Sequence, residues 1–188
     1  VSGCEKRDKA EAAVHRLMER FGRGSGFRLI PRQISAVGMN GVCNFGTFAE
    51  NADEIWLISD RRGIAGDFLG MMIKEAGSLG LETHISRDHL LEPDALYFPE
   101  KRIAVVSDCD AGKAARIINT DRFINGAGLS EHRAALRFLK KLENELFSRA
   151  LSLFGEIRTC HFAVEDIYRG AMDFGGLEPV FEQITAGL

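Results

Sequence analysis

The six residues Glu54 to Ser59, EIWLIS, constrain this chain more than any other stretch. A continuous apolar run rich in β-branched and aromatic residues suits a strand covered on both faces, as in the parallel sheet of an α/β protein. A polar, glycine-bearing turn follows. The next segment, DFLGMMIKEAGSLG (67–80), sets Phe68, Leu69, Met72, Ile73 and Ala76 on one helical face and ends at Gly77 or Gly80. LETHI (81–85) reads as a second strand, and IAVVSD (103–108) as a third buried one that closes on an acid. Strand, turn, helix, strand and a further buried strand form the βαβ arrangement of a parallel sheet with right-handed crossovers.

The flanks differ. EKRDKAEAAVHRLMERF (5–21) carries Ala10, Ala13, Val14, Leu17, Met18 and Phe21 at helical spacing. GRGSG (22–26) breaks that helix, because three glycines in five residues continue it only at a cost. It follows a helix rather than a strand and precedes no Lys-Ser/Thr pair, so it reads as a linker and not a phosphate loop. Residues 27–45 hold short apolar runs, a proline and two glycines, the mark of extended structure and loops. The last third is helical: 129–157, with Ser130 as a cap and a stripe through Ala135, Leu139, Leu142, Leu146, Leu153 and Ile157, then 160–172, then 177–187. The expected division is residues 1–26 as an N-terminal helix and linker, a remnant of a preceding domain or a joining element, and 27–188 as the α/β domain with its helical C-terminal part. The chain opens on Val1, as a fragment or a processed form would.

Charge and cysteine usage exclude several classes. A net charge of -3 gives no electrostatic footprint for nucleic acid. No apolar run approaches the 18 or so residues of a membrane span, and the start has no signal-peptide pattern. Cys4, Cys43, Cys109 and Cys160 are far apart, with no C-x-x-C pair. The reading is four reduced, mostly buried thiols in a cytoplasmic protein, not a zinc site or a disulfide framework. The histidines are equally scattered.

The turn after EIWLIS sits where phosphate-binding loops sit, between a strand and a helix. The working form G-x-x-x-x-G-K-[ST] wraps a phosphate in backbone N–H groups, bridges it with Lys and holds Mg²⁺ with the hydroxyl. Laid on RRGIAGDF (61–68), Gly66 takes the second glycine, Arg61 the first, Asp67 the lysine and Phe68 the hydroxyl position. Arg61, Arg62, Gly63, Ile64, Ala65, Gly66, Asp67 and Phe68 are thus the candidate cofactor-binding residues. The substitutions change charge rather than shape. Two unit charges about 4 Å apart interact by roughly 4 kcal/mol at an effective dielectric of 20, so Asp for Lys exchanges attraction for repulsion of that order. A carboxylate at a helix N-terminus also satisfies the dipole that would attract phosphate. Arg61 and Arg62 have forks that bind phosphate, but pairing with Asp60 and Asp67 is the expected outcome. Asp108, after its apolar strand, is the candidate Mg²⁺ residue; the ordinary alternative is an exposed acid at a sheet edge.

From RQISAVGMNGVCNF (32–45) to GAMDFGGLEPV (170–180) the sequence resembles a little-characterised bacterial family of P-loop ATPases, predicted nucleotide kinases built from two related P-loop domains in tandem. The likeness is carried by RQISAVGMNGV, by EIWLISDRRGIAGDFLGMMIKEAGSLGLETHI, by LLEPDALYFPEKRIAVVSD, by INTDRFIN and by GAMDF, in shared order and spacing. The resemblance implies a three-layer P-loop NTPase-like fold, a cytoplasmic location and ancestral binding of ATP and Mg²⁺. The chain departs from the family where the chemistry resides, at Asp67 and Phe68, and again at CDA (109–111) after Asp108.

Three functions remain open. One is a degenerate P-loop NTPase-like domain with little or no ATP hydrolysis, serving as a structural or regulatory partner. The second is an active ATPase or small-molecule kinase using Arg61, Arg62 or Lys74 in place of the missing lysine. The third is an interaction module whose C-terminal helices make a homodimer or bind a second P-loop domain.

Overall fold

The computed structural model describes residues 6–107, 111–126, 130 and 132–186. In chain order these form α1 (Arg7–Met18), β1 (Arg28–Pro31), β2 (Ser35–Gly38), β3 (Gly41–Asn44), the single turn α2 (Thr47–Glu50), β4 (Glu54–Ser59) and α3 (Ala65–Leu79). There follow β5 (Glu82–Arg87), β6 (Pro93–Phe98), β7 (Ile103–Val106), β8 (Arg116–Asn119), α4 (Arg133–Arg169) and α5 (Phe174–Thr185). The protein is α/β.

Six strands make one sheet in the order β1-β5-β6-β7-β4-β8, and β2 and β3 make a separate antiparallel hairpin. The sheet is mixed, which corrects the expectation of a purely parallel one. β1 and β5 are parallel, as are β7, β4 and β8, but β6 runs against both of its neighbours. The cause lies in the connections. β5 reaches β6 through a turn centred on Asp88–Glu92, and β6 reaches β7 through a single 3₁₀ turn at Pro99–Lys101. Such short links permit antiparallel pairing, whereas a parallel crossover needs a dozen residues or more.

The two faces of the sheet are unequally covered. On one, Trp56 and Ile58 of β4, Ile85, Leu96, Phe98 and Val105 meet α3 and α1 in a single core. Phe21, in the 3₁₀ turn that follows α1, packs its ring 5.1 Å from Trp56 and 5.0 Å from Phe98. On the other face Ile34, Phe48, Ala95, Ala104 and Val106 form a smaller cluster under α2. Ile55 and Leu57 accordingly remain half-buried, so EIWLIS is deeply covered on one side only.

α3 buries Phe68, Leu69, Met71, Met72 and Ala76 and ends in a left-handed glycine, Gly80, at φ +70°. The Leu81 N–H donates to the Ala76 carbonyl (2.9 Å) and the Gly80 N–H to Gly77 (3.2 Å), which closes the last turn. The GRGSG segment is clasped to this end: Gly24 donates to Leu79 and Gly26 to Gly80, both at 2.9 Å. A Cβ on Gly24 would lie 2.3 Å from the Gly80 carbonyl oxygen, so glycine is required there by the close approach of two backbones. Ser25 donates its N–H and its hydroxyl to the Glu100 carboxylate, whose pKa these bonds hold below the usual range.

The helices of the last third differ from the expected three. α4 is one continuous helix of 37 residues that joins the first two, and it begins at Arg133 rather than at a Ser130 cap. Nothing between Glu156 and Arg169 breaks a helix; no glycine or proline occurs there. No residue of α4 or α5 is buried. Leu136 touches the main core, and Phe147 lies 4.7 Å from the His89 ring. Among the described residues no helix is long and apolar enough to cross a membrane.

Candidate functional site

The loop from Asp60 to Ile64 leaves the carboxyl end of β4, a strand flanked by two parallel neighbours, β7 and β8. In open α/β sheets that edge is where ligands bind. β4 positions the loop because its apolar run is fixed in the core, and α3 begins immediately beyond because Ala65 starts a helical periodicity.

The loop's amides are already engaged. Asp60 accepts from the Arg62 N–H (2.9 Å) and the Gly63 N–H (3.0 Å) through Oδ1, and from the Ala65 N–H (2.7 Å) through Oδ2. Asp121 accepts from the Arg61 N–H at 3.3 Å. Gly63 has φ +75°, a left-handed conformation that turns the chain around the Asp60 carboxylate. A carboxylate of the chain itself therefore holds three of the loop's amides. The residue is Asp60, one position before the frame that the motif comparison covers. Its sequence signal is Asp followed three residues later by Gly, the signature of an aspartate folding its own loop.

The other predicted residues fall in different places. Ile64 and Phe68 are buried, and Phe68 stacks on Phe123 with centroids 5.6 Å apart, so the hydroxyl position of the motif faces the core. Asp67 is exposed in the first turn of α3. Glu92 approaches from the β5–β6 turn, 3.3 Å from where a Cβ on Gly66 would stand, and adds another carboxylate to the mouth. Arg61 and Arg62 make no ion pair among the described residues, so the expected pairing with Asp60 and Asp67 does not form. β7 ends at Val106, and Asp108 lies outside the described residues. Lys74 is nine residues into α3, about 13 Å along the axis from its start.

Arg61 and Arg62 instead line a cleft of about 760 Å³ between the loop and the start of α4. Arg133, Arg137 and Lys140 complete its cationic wall, Leu136 and Leu139 supply an apolar strip, and Glu143 is its single carboxylate. The α4 cations were not legible as site residues, because nothing local in the sequence ties residues 133–140 to the loop. A second cleft, of about 830 Å³, lies between the β2–β3 hairpin, the ends of β1 and β5 and Phe147. Asp94 lines it, and burial pushes its carboxyl above the usual carboxylate range. Ser86 Oγ and Asp94 Oδ1 are buried without a hydrogen-bond partner among the described residues.

Among the described residues no three His, Cys, Asp or Glu side chains gather as a metal site. Cys43 and Cys160 are free and exposed, which corrects the expectation of mostly buried thiols; Cys4 and Cys109 lie outside the described residues.

Fold and loop together define an α/β protein with a mixed six-stranded sheet and a self-filled strand-to-helix turn at the end of an interior strand. Comparison with protein-family models, with curated proteins and with solved structures gives no match for this chain.

Proposed function

We propose that the chain is a degenerate P-loop NTPase-like domain that hydrolyses little or no ATP and serves as a structural or regulatory partner. One observation carries this reading: the Asp60 carboxylate holds the amides of Arg62, Gly63 and Ala65. An incoming phosphate has to displace one anion from those donors and then meet Asp67 and Glu92. Both exposed carboxylates oppose a second anion at the start of the helix, and salt screens that repulsion. Phe68, packed on Phe123, offers no oxygen to Mg²⁺. On this reading the Asp60 carboxylate stands where the ancestral loop held the phosphate of ATP. Cytoplasmic residence belongs to the same proposal, since exposed thiols at Cys43 and Cys160 suit a reducing compartment.

A radiometric ATPase assay on the purified chain tests it. Turnover below about 0.01 s⁻¹ is expected; a rate near or above about 1 s⁻¹, in the range of ordinary enzymes, refutes the reading. Replacing Asp60 by Ala in an Asp67→Lys background, which leaves the buried Phe68 in place, should restore measurable binding of ATP.

The cationic cleft favours a second reading, an active ATPase or small-molecule kinase with an atypical loop. Arg61, Arg62, Arg133, Arg137 and Lys140 would then hold the phosphates from outside the cradle. Calorimetry with ATP and Mg²⁺ separates the two. The absence of both heat and a rise in melting temperature at high micromolar nucleotide removes the active reading, because a ligand of the native state must stabilise it.

A further inference from the structure

α4 presents two different faces. Leu136, Phe147, Leu151 and Phe154 turn towards the domain and are half-buried. About a third of a turn round the helix lies a second, exposed stripe: Leu139, which borders the cationic cleft, with Leu142, Leu146, Leu153, Ile157 and Val164, all 40–63% exposed. At on the order of 100 Å² each, these six side chains present about 600 Å² of apolar surface, interrupted by Arg149. That is the upper end of what a soluble monomer exposes and approaches the roughly 800 Å² per partner of a stable interface. Leu177, Val180, Phe181 and Ile184 of α5 add a further apolar face.

We infer that this stripe is the interface of a two-fold dimer in which two copies of α4 pair antiparallel about residue 151. The inference goes beyond the reading of the loop and does not depend on it.

Three observations carry it. First, the stripe is self-complementary when reversed. Ala135 and Ile167, Leu139 and Val164, Leu142 and Cys160, and Leu146 and Ile157 are each equidistant from residue 151 to within one position. An isologous interface requires that one surface match itself under rotation, and this spacing does so. Second, the seam contains one cation, Arg149, between Leu146 and Leu153. Parallel pairing sets it against the Arg149 of the second copy inside an apolar seam; antiparallel pairing sets it beside that copy's Leu153 and Glu156. Third, the charge along α4 is uneven. Residues 133–150 carry five cations and two carboxylates, and residues 151–169 carry three carboxylates and two cations. Antiparallel pairing brings the positive half onto the acidic half and opposes the two helix dipoles, whereas parallel pairing does neither.

Sedimentation velocity on the full chain at about 1 to 100 µM is the first test, and a dimer is expected. Leu146→Glu should raise the dissociation constant at least about 30-fold, as loss of a central interface residue does. Far-UV circular dichroism of the variant should stay unchanged, because Leu146 contributes nothing to the core. A monomer at 100 µM overturns the proposal and leaves the stripe to a different domain. A dimer indifferent to Leu146→Glu also overturns it. Orientation is read by oxidising the Leu142→Cys variant with diamide and mapping disulfides by mass spectrometry. Intermolecular 142–160 linkage is expected; 160–160 linkage in the unaltered chain refutes the antiparallel arrangement.

Discussion

The sheet and the C-terminal helices use apolar residues in opposite ways. Trp56, Phe68, Leu96 and Phe98 are at most 2% exposed, held between α3, α1 and the sheet. Across α4 and α5, Leu146, Ile167 and Phe181 are each more than 60% exposed. The composition is similar in the two regions; what differs is whether the chain supplies its own cover. A helix whose apolar face is unmatched within the chain is stabilised by what docks on it, so the two regions should respond differently to the same kind of substitution.

The largest effect tests the first half of that contrast. Phe98→Ala removes a ring that touches Phe21 and should cost about 4 kcal/mol in urea denaturation. Leu153→Ala should cost less than about 0.5 kcal/mol at protein concentrations low enough to hold the chain monomeric, and more as concentration rises. Equal losses for the two at high dilution would dissolve the distinction. Next, Gly24→Ala drives a methyl into the Gly80 carbonyl and should destabilise by about 2 to 3 kcal/mol, with Gly26→Ala strained by its φ of +157° as a companion. A neutral result would mean that the glycine strap is not part of the core region. Asp60→Ala leaves three loop amides without their acceptor and should cost about 1 kcal/mol, close to the loss of a helix cap. No change in the denaturation midpoint would show the loop to be unconnected to the rigidity of α3.

The smallest effect is a pH dependence at the α1–α3 seam. His15 donates through Nδ1 to the Glu75 carboxylate at 2.8 Å, and that bond, with the charges of Glu75 and Glu19, raises its pKa from the ordinary 6.5. A raised folded value means that the native state holds the proton more tightly. The stabilisation is complete below pH 6.5 and is lost as pH rises through the raised value. His15→Gln should flatten this slope in midpoints measured at about pH 6 and pH 8; identical slopes in the two proteins would contradict the assignment. The pair is exposed, so the change is small.

Much of the core region was legible. EIWLIS predicts β4 from end to end, and the 3.6-residue pattern places α3 with its inward face and its terminal glycine. β6 was not, because PDALYF begins with proline and its Asp94 breaks the apolar run. β8, RIIN, is four residues long with Ile118 alone buried, too little for a periodicity. The candidate site was half legible. The loop's location follows from strand-then-helix order, and the acid at Asp67 and the aromatic at Phe68, where a phosphate loop has lysine and a hydroxyl, are read directly from the residues. The carboxylate that holds the loop's amides and the α4 cations were hidden. The first lies outside the motif frame, and the second reach the loop only through tertiary packing across about seventy residues of chain.

The β5–β6–β7 segment carries one more implication. Its three strands follow one another in sequence and pair as neighbours, so residues 82–106 can assemble by closing only short loops. The crossovers to β4 and β8 close later and at greater entropic cost. Those 25 residues are therefore expected to form the earliest native contacts of the folding chain and to keep their amide protons longest in exchange.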